Sequence, residues 1–319
     1  MCKIVDFENV SISDRNGVYG GAVGFKEGVL INNEYWIIKY PKNIKSMNAT
    51  NIFYVASPLS EYIGSHIYEI LGFDVHKTVL GVRHDRVVVA CKDFCSFPGE
   101  LREIRTLKNV YHEKLENVLD IETYINKKRS SRVVLLEELL LHIKYNPILS
   151  GVVGIEDRFW DCLLIDAVMN NSSRGTSDWG VLLKNGFYNL APIFSNSMTF
   201  QNGLSDVQLE KLMNNTVEFK KNAINIITAY GNKKNRYSFK YFLSQDGLVG
   251  LDKSIRKLVP VITEQFPQIE KLINDIPESY NGIIVCSSIR KTFYIEEMKI
   301  RINELLIPAY EKILKNEEK

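Results

Sequence analysis

The sequence has little of the residues that mark the non-globular protein classes. Its 319 residues include 9 Pro, 19 Gly and 5 Cys, too few for a collagen-like chain or for a scaffold held together by disulfides. Hydrophobic residues make up 45% of the chain, which is enough to bury a core, so intrinsic disorder is excluded as well. At roughly 150 residues per domain, the length predicts about two globular domains or one bilobal unit.

The sequence also lacks a strong charge of one sign and a long apolar run. The formal net charge is +2, so the molecule as a whole has no attraction for nucleic acid or anionic lipid. The most apolar stretch, Val133 to Ile143, is interrupted by Glu137 and Glu138, and it is far shorter than the roughly 20 apolar residues of a membrane-spanning helix. The first 17 residues are too polar for a signal peptide. We therefore expect a cytoplasmic protein without a membrane partner.

The cysteines are odd in number and mostly far apart in the chain. They are Cys2, Cys91, Cys95, Cys162 and Cys286, a distribution that favours free thiols in a reducing compartment over disulfides. Cys91 and Cys95 lack the second Cys or His pair that a zinc site needs. The five histidines show no ligand spacing either. Neither a zinc site nor a histidine-based hydrolase is expected.

The apolar pattern changes at about residue 95, where short strands give way to long helices. Two hairpins are predicted before this point, Gly28 to Tyr40 and Thr78 to Ala90, with turns at Asn32-Asn33 and His84-Asp85. The asparagine pair tolerates the positive φ of a tight turn. A helix between the hairpins runs from Ser57 to Gly72, with an N-cap, a first-turn proline and a terminating glycine.

Later segments show helical periodicity with one interruption. The predicted helices are roughly 113–127, 131–145, 155–169, 205–215, 217–229, 248–258, 260–274 and 287–315. The interruption, Asn170 to Phe200, is a polar loop followed by strand-like runs at Val181 to Leu183 and Tyr188 to Ile193, joined through Asn185-Gly186. A polar loop and hairpin set between core helices is a common place for functional residues.

Three features of the N-terminal part occur in a suggestive order. A glycine-rich turn precedes the first hairpin, Lys39 shares a strand face with Tyr35 and Ile37, and Glu61 lies in the first turn of the following helix. Each has a structural explanation of its own: a turn, a lysine that reaches solvent and a carboxylate at a helix N-terminus. Together, however, a glycine loop, a strand lysine and a helix glutamate are how protein kinases hold ATP phosphates.

At these residues the chain resembles the HipA-like serine/threonine kinases, most closely their cell-translocating kinase (CtkA) branch. The resembling segments are Gly20-Gly21-Ala22-Val23-Gly24-Phe25-Lys26, Trp36 to Pro41, Ser60 to Ile63, Val88 to Phe94, Phe159-Trp160-Asp161 and Ala191 to Phe194. The resemblance implies an α+β, bilobal, protein-kinase-like fold. Its small β-rich N-lobe would cover residues 1–95, with the glycine-rich loop and the hinge, and its large helical C-lobe would cover residues 96–319.

The resemblance also implies how ATP would be held. Lys39 would contact the phosphates and Glu61 would pair with Lys39. Two further groups of residues match family positions that bind ATP through the backbone. They are the glycine loop at Gly20, Gly21, Ala22 and Gly24, and the hinge at Val89, Ala90 and Cys91.

The catalytic loop departs from the family pattern, which is Asn-x-Asp-Arg-His-x-x-Asn-Trp-Gly. Arg174 matches, but Ser173 stands where the family has its proton-accepting aspartate, and Asp178 replaces the metal-binding asparagine. Ser195 replaces the second metal-binding residue, an aspartate. A serine hydroxyl is a poor proton acceptor, and magnesium prefers carboxylate oxygens. Binding of magnesium or manganese is therefore expected to be weak or absent. Asp161 and Asp166 lie on the preceding helix; Asp161 matches a family position interpreted as structural, and neither is expected to act as a replacement base.

The leading hypothesis is a pseudokinase that binds ATP but has impaired phosphoryl transfer. One alternative is an active, autophosphorylating serine/threonine kinase whose altered metal site uses Asp178. Another is a non-catalytic interaction or regulatory module, and a link to toxin–antitoxin systems is implied solely by the resemblance. The expected partners are a nucleotide and an unknown protein. Nucleic acid is not expected, because the basic and aromatic run at 232–241 is interpreted as a solvated loop that enters a helix.

Overall fold

The N-terminal part is organised around a six-stranded sheet. The computed structural model describes residues 2–19, 26–45, 52–95, 99–107 and 133–317. The strands up to residue 92 are β1 (Val5–Asp6), β2 (Ser11–Ile12), β3 (Lys26–Ile31), β4 (Glu34–Lys39), β5 (Asn43–Lys45), β6 (Ile52–Tyr54), β7 (Thr78–Arg83) and β8 (Arg86–Lys92). The sheet has the order β1-β7-β8-β4-β3-β2; β1 is parallel to β7 and the other neighbours are antiparallel. A separate ribbon pairs β5 with β6.

Both predicted hairpins are confirmed. Strands β3 and β4 turn through Asn32 and Asn33, whose φ angles are 51° and 62°. Strands β7 and β8 turn through His84 and Asp85, at 51° and 55°. Positive φ is least unfavourable for Gly, Asn, Asp and His among the common residues, so the turn residues themselves fix where each hairpin reverses.

Helix α1 (Ser57–Ile70) packs on one face of this sheet. Its Ile63 and Ile67 are fully buried, and it is followed by Gly72 at a φ of 84°. Pro58 lies in its first turn as predicted, but the capping position is Ala56, so the expected Ser57 cap is replaced by an uncapped start. The alternation of β-strand side chains leaves the opposite face of the sheet to a second, smaller apolar cluster.

The second part is mainly helical. Its helices are α2 (Ile104–Leu107), α3 (Leu136–Tyr145), α4 (Ile155–Met169), α5 (Asp206–Met213), α6 (Thr216–Ile224), α7 (Phe239–Ser244), α8 (Val249–Asn274), α9 (Ser288–Arg301) and α10 (Ile307–Glu317). A short 3-10 turn spans Leu149–Gly151, and one π-helical segment, Ile302–Leu306, joins α9 to α10. Among the described residues, no helix combines the length and apolar composition needed to cross a bilayer.

Short strands complete the second part. They are β9 (Glu100–Glu103), β10 (Val134–Leu135), β11 (Gly180–Lys184), β12 (Phe187–Leu190), β13 (Ile227–Gly231), β14 (Arg236–Ser238), β15 (Ser279–Tyr280) and β16 (Ile283–Ile284). They form sheets in the orders β9-β11-β12 and β10-β13-β14, and a pair β15-β16. The hairpin predicted around Asn185-Gly186 is confirmed as β11 and β12. The domain boundary predicted between residues 95 and 96 lies between β8 and β9, and it stays a prediction.

Several helix predictions need correction. The helix predicted at 113–127 lies outside the described residues. The helix predicted at 217–229 ends at Ile224, and β13 begins at Ile227, where β-branched and aromatic residues favour a strand. The helices predicted at 248–258 and 260–274 are a single helix, α8, which continues through Pro260. Buried apolar residues on both sides of this proline keep the helix in place.

Helix α4, predicted with these same bounds, is fixed against α8. Asp161 accepts a hydrogen bond from Ser254 Oγ at 2.7 Å and forms an ion pair with Lys257. The Trp160 indole covers Gly250, where an added Cβ would lie 2.1 Å from Trp160 Nε1. This close contact places the C-terminal end of α4, and the polar loop that follows it, at a fixed position against the rest of the second part.

We predict that Gly250→Ala destabilises the protein. The new methyl group would collide with the buried Trp160 ring, and overpacking costs about 1–3 kcal/mol, of which roughly 1 kcal/mol is offset by the better helix propensity of alanine. Urea denaturation measures the effect. Gly151→Ala is the matched control, because a Cβ there meets nothing within 4 Å; equal losses of stability in the two variants would contradict the prediction.

Candidate functional site

A buried ion pair joins the sheet to α1. The Lys39 Nζ at the end of β4 lies 2.9 Å from Glu61 Oε2. The side chain of Glu61 is fully buried, whereas that of Lys39 is 21% exposed. Burial alone would raise the pKa of Glu61, but Lys39 and then His76 outweigh it and the net shift is downward. The pair is therefore ionised near neutral pH, and the ammonium is held in place.

The second oxygen of Glu61 also has partners. Oε1 lies 3.0 Å from His76 Nε2 and accepts the backbone N–H of Asn196 at 3.1 Å. Burial lowers the pKa of His76, so the imidazole is neutral near pH 7. Its Nε2 is also 3.1 Å from Ser65 Oγ. Glu61 is thus oriented from three directions, and its orientation determines where Lys39 points.

Arg174 organises the loop after α4. Its guanidinium, 3% exposed, forms an ion pair with Asp166 at 2.6 Å. It also donates to the backbone carbonyls of Asp178 (3.2 Å) and Phe194 (2.9 Å) and to Asn196 Oδ1 (2.6 Å). Burial alone would lower the pKa of Arg174, but Asp166 outweighs it and the net shift is upward. The carboxylate oxygens of Asp166 accept hydrogen bonds from Arg174 and from the Tyr68 hydroxyl at 2.9 Å. These contacts give Asp166 a structural role.

The loop presents hydroxyl groups and one carboxylate. Ser173 Oγ donates to Asn171 Oδ1 at 3.2 Å. The carboxylate is Asp178: its Oδ1 accepts from Ser195 Oγ at 2.7 Å, and its Oδ2 accepts from the Gly175 N–H at 2.9 Å. Ser195 has a φ of 66°. The structure therefore brings Asp178 and Ser195 into direct contact.

These donors do not fit a magnesium ion of the kind that kinases hold. Mg²⁺ is bound through carboxylates with near-ideal octahedral geometry. Of the two residues at the predicted metal positions, Asp178 and Ser195, Asp178 alone is a carboxylate. It already accepts hydrogen bonds from its own loop and from Ser195. Ser195 adds only a neutral oxygen.

The predicted hinge residues require a correction. Val89, Ala90 and Cys91 lie in the middle of β8, with partners in β4 on one side and β7 on the other. Their backbone groups are consumed by the sheet and cannot hold adenine. The chain leaves the sheet after Lys92, through 93–95. Phe94 in this segment packs against Phe194, with ring centroids 5.7 Å apart.

The predicted glycine-rich loop residues, Gly20, Gly21, Ala22 and Gly24, lie outside the described residues. The segment that leads to them is anchored on the link after β8. Arg15 forms an ion pair with Asp93 at 2.9 Å and lies over the Tyr35 ring, and Tyr19 OH donates to the same carboxylate at 2.9 Å. The segment up to residue 19 is therefore fixed against the link after β8.

The structure also groups three side chains of metal-ligand type that sequence spacing does not connect. Glu61, His76 and Cys91 are buried, and their ligand atoms all lie within 4.8 Å of one another. The positive charge beside them is that of Lys39. Burial raises the pKa of the Cys91 thiol to about 12, so the thiol is protonated. The three side chains lie close together because they surround the ion pair between Lys39 and Glu61.

Sequence reasoning missed three residues that support the site. His76 and Asn196 hold Glu61, and no motif marks either of them, because their partner lies far away in sequence. Arg236 lies in the run interpreted as a solvated loop, yet it belongs to β14 and its Nη2 donates to the Ser172 carbonyl at 2.6 Å. The adjacency of Asn196 to Ser195 was the one available signal.

Comparison with known proteins finds one similar sequence and several similar structures. No family model matches the chain. The serine/threonine-protein kinase CtkA of Helicobacter pylori is 27% identical over 277 residues, which is 86% of this chain and 79% of that protein. The crystal structure of the H. pylori proinflammatory kinase CtkA superposes with a TM-score of 0.83 and 25% identity, covering 98% of each chain. HipA of Shewanella oneidensis gives a TM-score of 0.43 at 12% identity, covering 92% of this chain and 69% of HipA, a likeness too loose to support an argument.

The protein therefore has a kinase-like fold, and the fold class expected from the sequence is confirmed. Within that class it is a homologue of the serine/threonine kinase CtkA. The resemblance to the CtkA branch is confirmed with it, while the roles of the individual site residues stay predictions.

We predict that Glu61→Gln destabilises the protein by about 3 kcal/mol near pH 7, the low end for breaking a buried pair, because Lys39 loses its partner. The pKa of Glu61 is lowered from 4.5, so its contribution is complete above that pH and is lost as the pH falls through the lower folded-state value. The difference between wild type and variant should shrink below pH 4.5. Chemical denaturation at several pH values measures it, with the exposed Glu69→Gln as control; a constant difference would contradict the prediction.

Proposed function

We propose that this protein is a pseudokinase that binds ATP in the cleft between the sheet and the helical part, with impaired phosphoryl transfer. One observation supports the proposal above the others. The hydroxyl of Ser195 donates to Asp178 at 2.7 Å, at the place where the family resemblance implies a metal-binding carboxylate and a metal-binding amide.

Retained nucleotide binding is supported by the ion pair. Lys39 is held by Glu61 at 2.9 Å with its ammonium on the cleft side, which is the arrangement that protein kinases need for contact with phosphates. The segment at 93–95 leaves the sheet beside the cleft, and we assign the adenine to its backbone and to Phe94. Gly20 to Gly24 would cover the phosphates, as the resemblance implies.

Impaired transfer is supported by the residues of the loop. Ser173 offers a hydroxyl in place of a carboxylate, and general base catalysis contributes roughly 100- to 10,000-fold to a rate. Asp166 does not replace it, because both of its oxygens bind Arg174. Asp161 is bound to Ser254 and Lys257 in the contact between α4 and α8.

A second candidate function, an active kinase that uses Asp178, is favoured by one specific observation. Because Asp178 Oδ1 is within 2.7 Å of Ser195 Oγ, its carboxylate lies next to the position from which the family aspartate acts. The site would then have kept one metal-binding carboxylate, that of Asp178, at a changed position. Manganese, with a more permissive coordination geometry than magnesium, could use this carboxylate.

A pseudokinase would act through a protein partner, since it lacks the chemistry to act on a substrate. A cytoplasmic location remains part of the proposal, and it is supported by the five free thiols. The link to toxin–antitoxin systems stays an expectation from the resemblance.

We predict that restoring the family residues restores transfer. The triple variant Ser173→Asp, Asp178→Asn, Ser195→Asp should incorporate phosphate from ATP and magnesium at least about 100-fold faster than wild type, because it regains a base and a metal carboxylate. Intact mass and radiolabel incorporation measure it. Adding Lys39→Ala to the triple variant is the control and should abolish the gain. Robust magnesium-dependent phosphorylation by wild type, lost in Lys39→Ala, would refute the pseudokinase proposal.

We also predict that Asp178→Ala leaves phosphoryl transfer at the background level of wild type with either magnesium or manganese. The intact mass after incubation with ATP reports both phosphoryl and adenylyl increments. A wild-type increment that disappears in Asp178→Ala would instead establish the second candidate, whereas an increment that persists would count against any role of Asp178 as its catalytic carboxylate.

A further inference from the structure

We infer that the cleft binds a nucleoside di- or triphosphate as the free anion, without a divalent metal, and that Lys26 and Lys39 together supply the countercharge. This inference rests on the proposed nucleotide binding and adds to it the ionic form of the ligand and a second lysine.

Two lysines share the cleft face of the sheet. In the pairing of β3 with β4, Lys26 lies directly opposite Lys39. Directly opposed residues of an antiparallel pair lie on one face, with Cβ atoms about 4.5–5.5 Å apart. Since Lys39 reaches Glu61 on the α1 side of the sheet, Lys26 is placed on that side too. Lys26 is also the last residue of the segment that resembles the family's glycine-rich loop.

The two opposed ammonium groups repel each other. Like charges directly opposite each other destabilise a sheet, and Lys26 pairs directly with Lys39 in the register of β3 and β4. Burial, followed by the charge of Lys39, lowers the pKa of Lys26. The carboxylates of Glu61 and Glu103 offset part of this repulsion. A polyphosphate placed between the two ammonium groups would offset much more of it.

The opposite wall of the cleft has lost negative charge. Relative to the family pattern, carboxylates are missing at Ser173 and Ser195 and one is gained at Asp178, a net loss of one negative charge. In kinases the metal neutralises phosphates beside such carboxylates. Asp178 is already satisfied by the Gly175 N–H, by Ser177 Oγ and by Ser195 Oγ. The two lysines can therefore do here what a metal ion does in an active kinase.

The test is isothermal titration of the purified full-length chain with ATP, either with magnesium or with EDTA, and with adenosine as the phosphate-free probe. We expect the dissociation constants for ATP with magnesium and with EDTA to agree within about threefold. Lys26→Gln should weaken ATP binding in EDTA about tenfold or more, the size expected for a charge-assisted contact, and should leave adenosine binding unchanged. Lys92→Gln is the matched control, because it lies on the opposite face of the same sheet.

The outcomes separate the two proposals. ATP binding that is lost or falls more than about tenfold in EDTA would overturn this inference and leave the proposed nucleotide binding intact. Equal loss of ATP and adenosine in Lys26→Gln would overturn the role assigned to Lys26, because it would show an effect on the fold. Failure of the wild type to bind either probe would overturn the proposed function together with this inference.

Discussion

The site depends on one buried guanidinium whose hydrogen-bonding capacity is fully used. Arg174 has five N–H donors, and they make five hydrogen bonds: two to Asp166, and one each to the carbonyls of Asp178 and Phe194 and to Asn196 Oδ1. These acceptors belong to α4, to the loop and to the segment after β12. Leaving one member of such a buried pair without its partner costs several kcal/mol, so the loop keeps its shape whatever its other side chains do.

Asn196 extends this network from the helical part to the sheet. Its side-chain oxygen binds Arg174, its Nδ2 donates to Ser65 Oγ at 3.1 Å, and its backbone N–H donates to Glu61. The contact is close because Gly64 has no side chain there; a Cβ would lie 2.8 Å from Asn196 Cβ. The segment after β12 thus orients the Lys39–Glu61 ion pair, and its contact with Arg174 links that pair to the loop after α4. The ion pair therefore keeps its geometry independently of the side chains at Ser173 and Ser195, which is what the proposed separation of binding from transfer requires.

Local features could be predicted from sequence, and contacts distant in sequence could not. The residues of the turn at Asn32-Asn33 are enough to predict that turn, and the local sequence of α4 is enough to predict its bounds. The contact of His76 with Glu61 arises only when the chain folds back after α1, so no spacing predicts it. The family resemblance alone places a hinge at Val89 to Cys91, whereas a central strand must use its backbone groups within the sheet.

The backbone conformation at Ser195 is unusual for the side chain it carries. A φ of 66° is uncommon for serine, whereas aspartate and asparagine are several-fold enriched in this left-handed region. Serine therefore occupies a conformation better suited to the family's aspartate, held by the neighbouring contacts of Phe194 and Asn196 with Arg174. Aspartate at position 195 would therefore need no change of main-chain conformation, so the backbone is already set for the side chain that the family resemblance implies, and a single substitution could supply it.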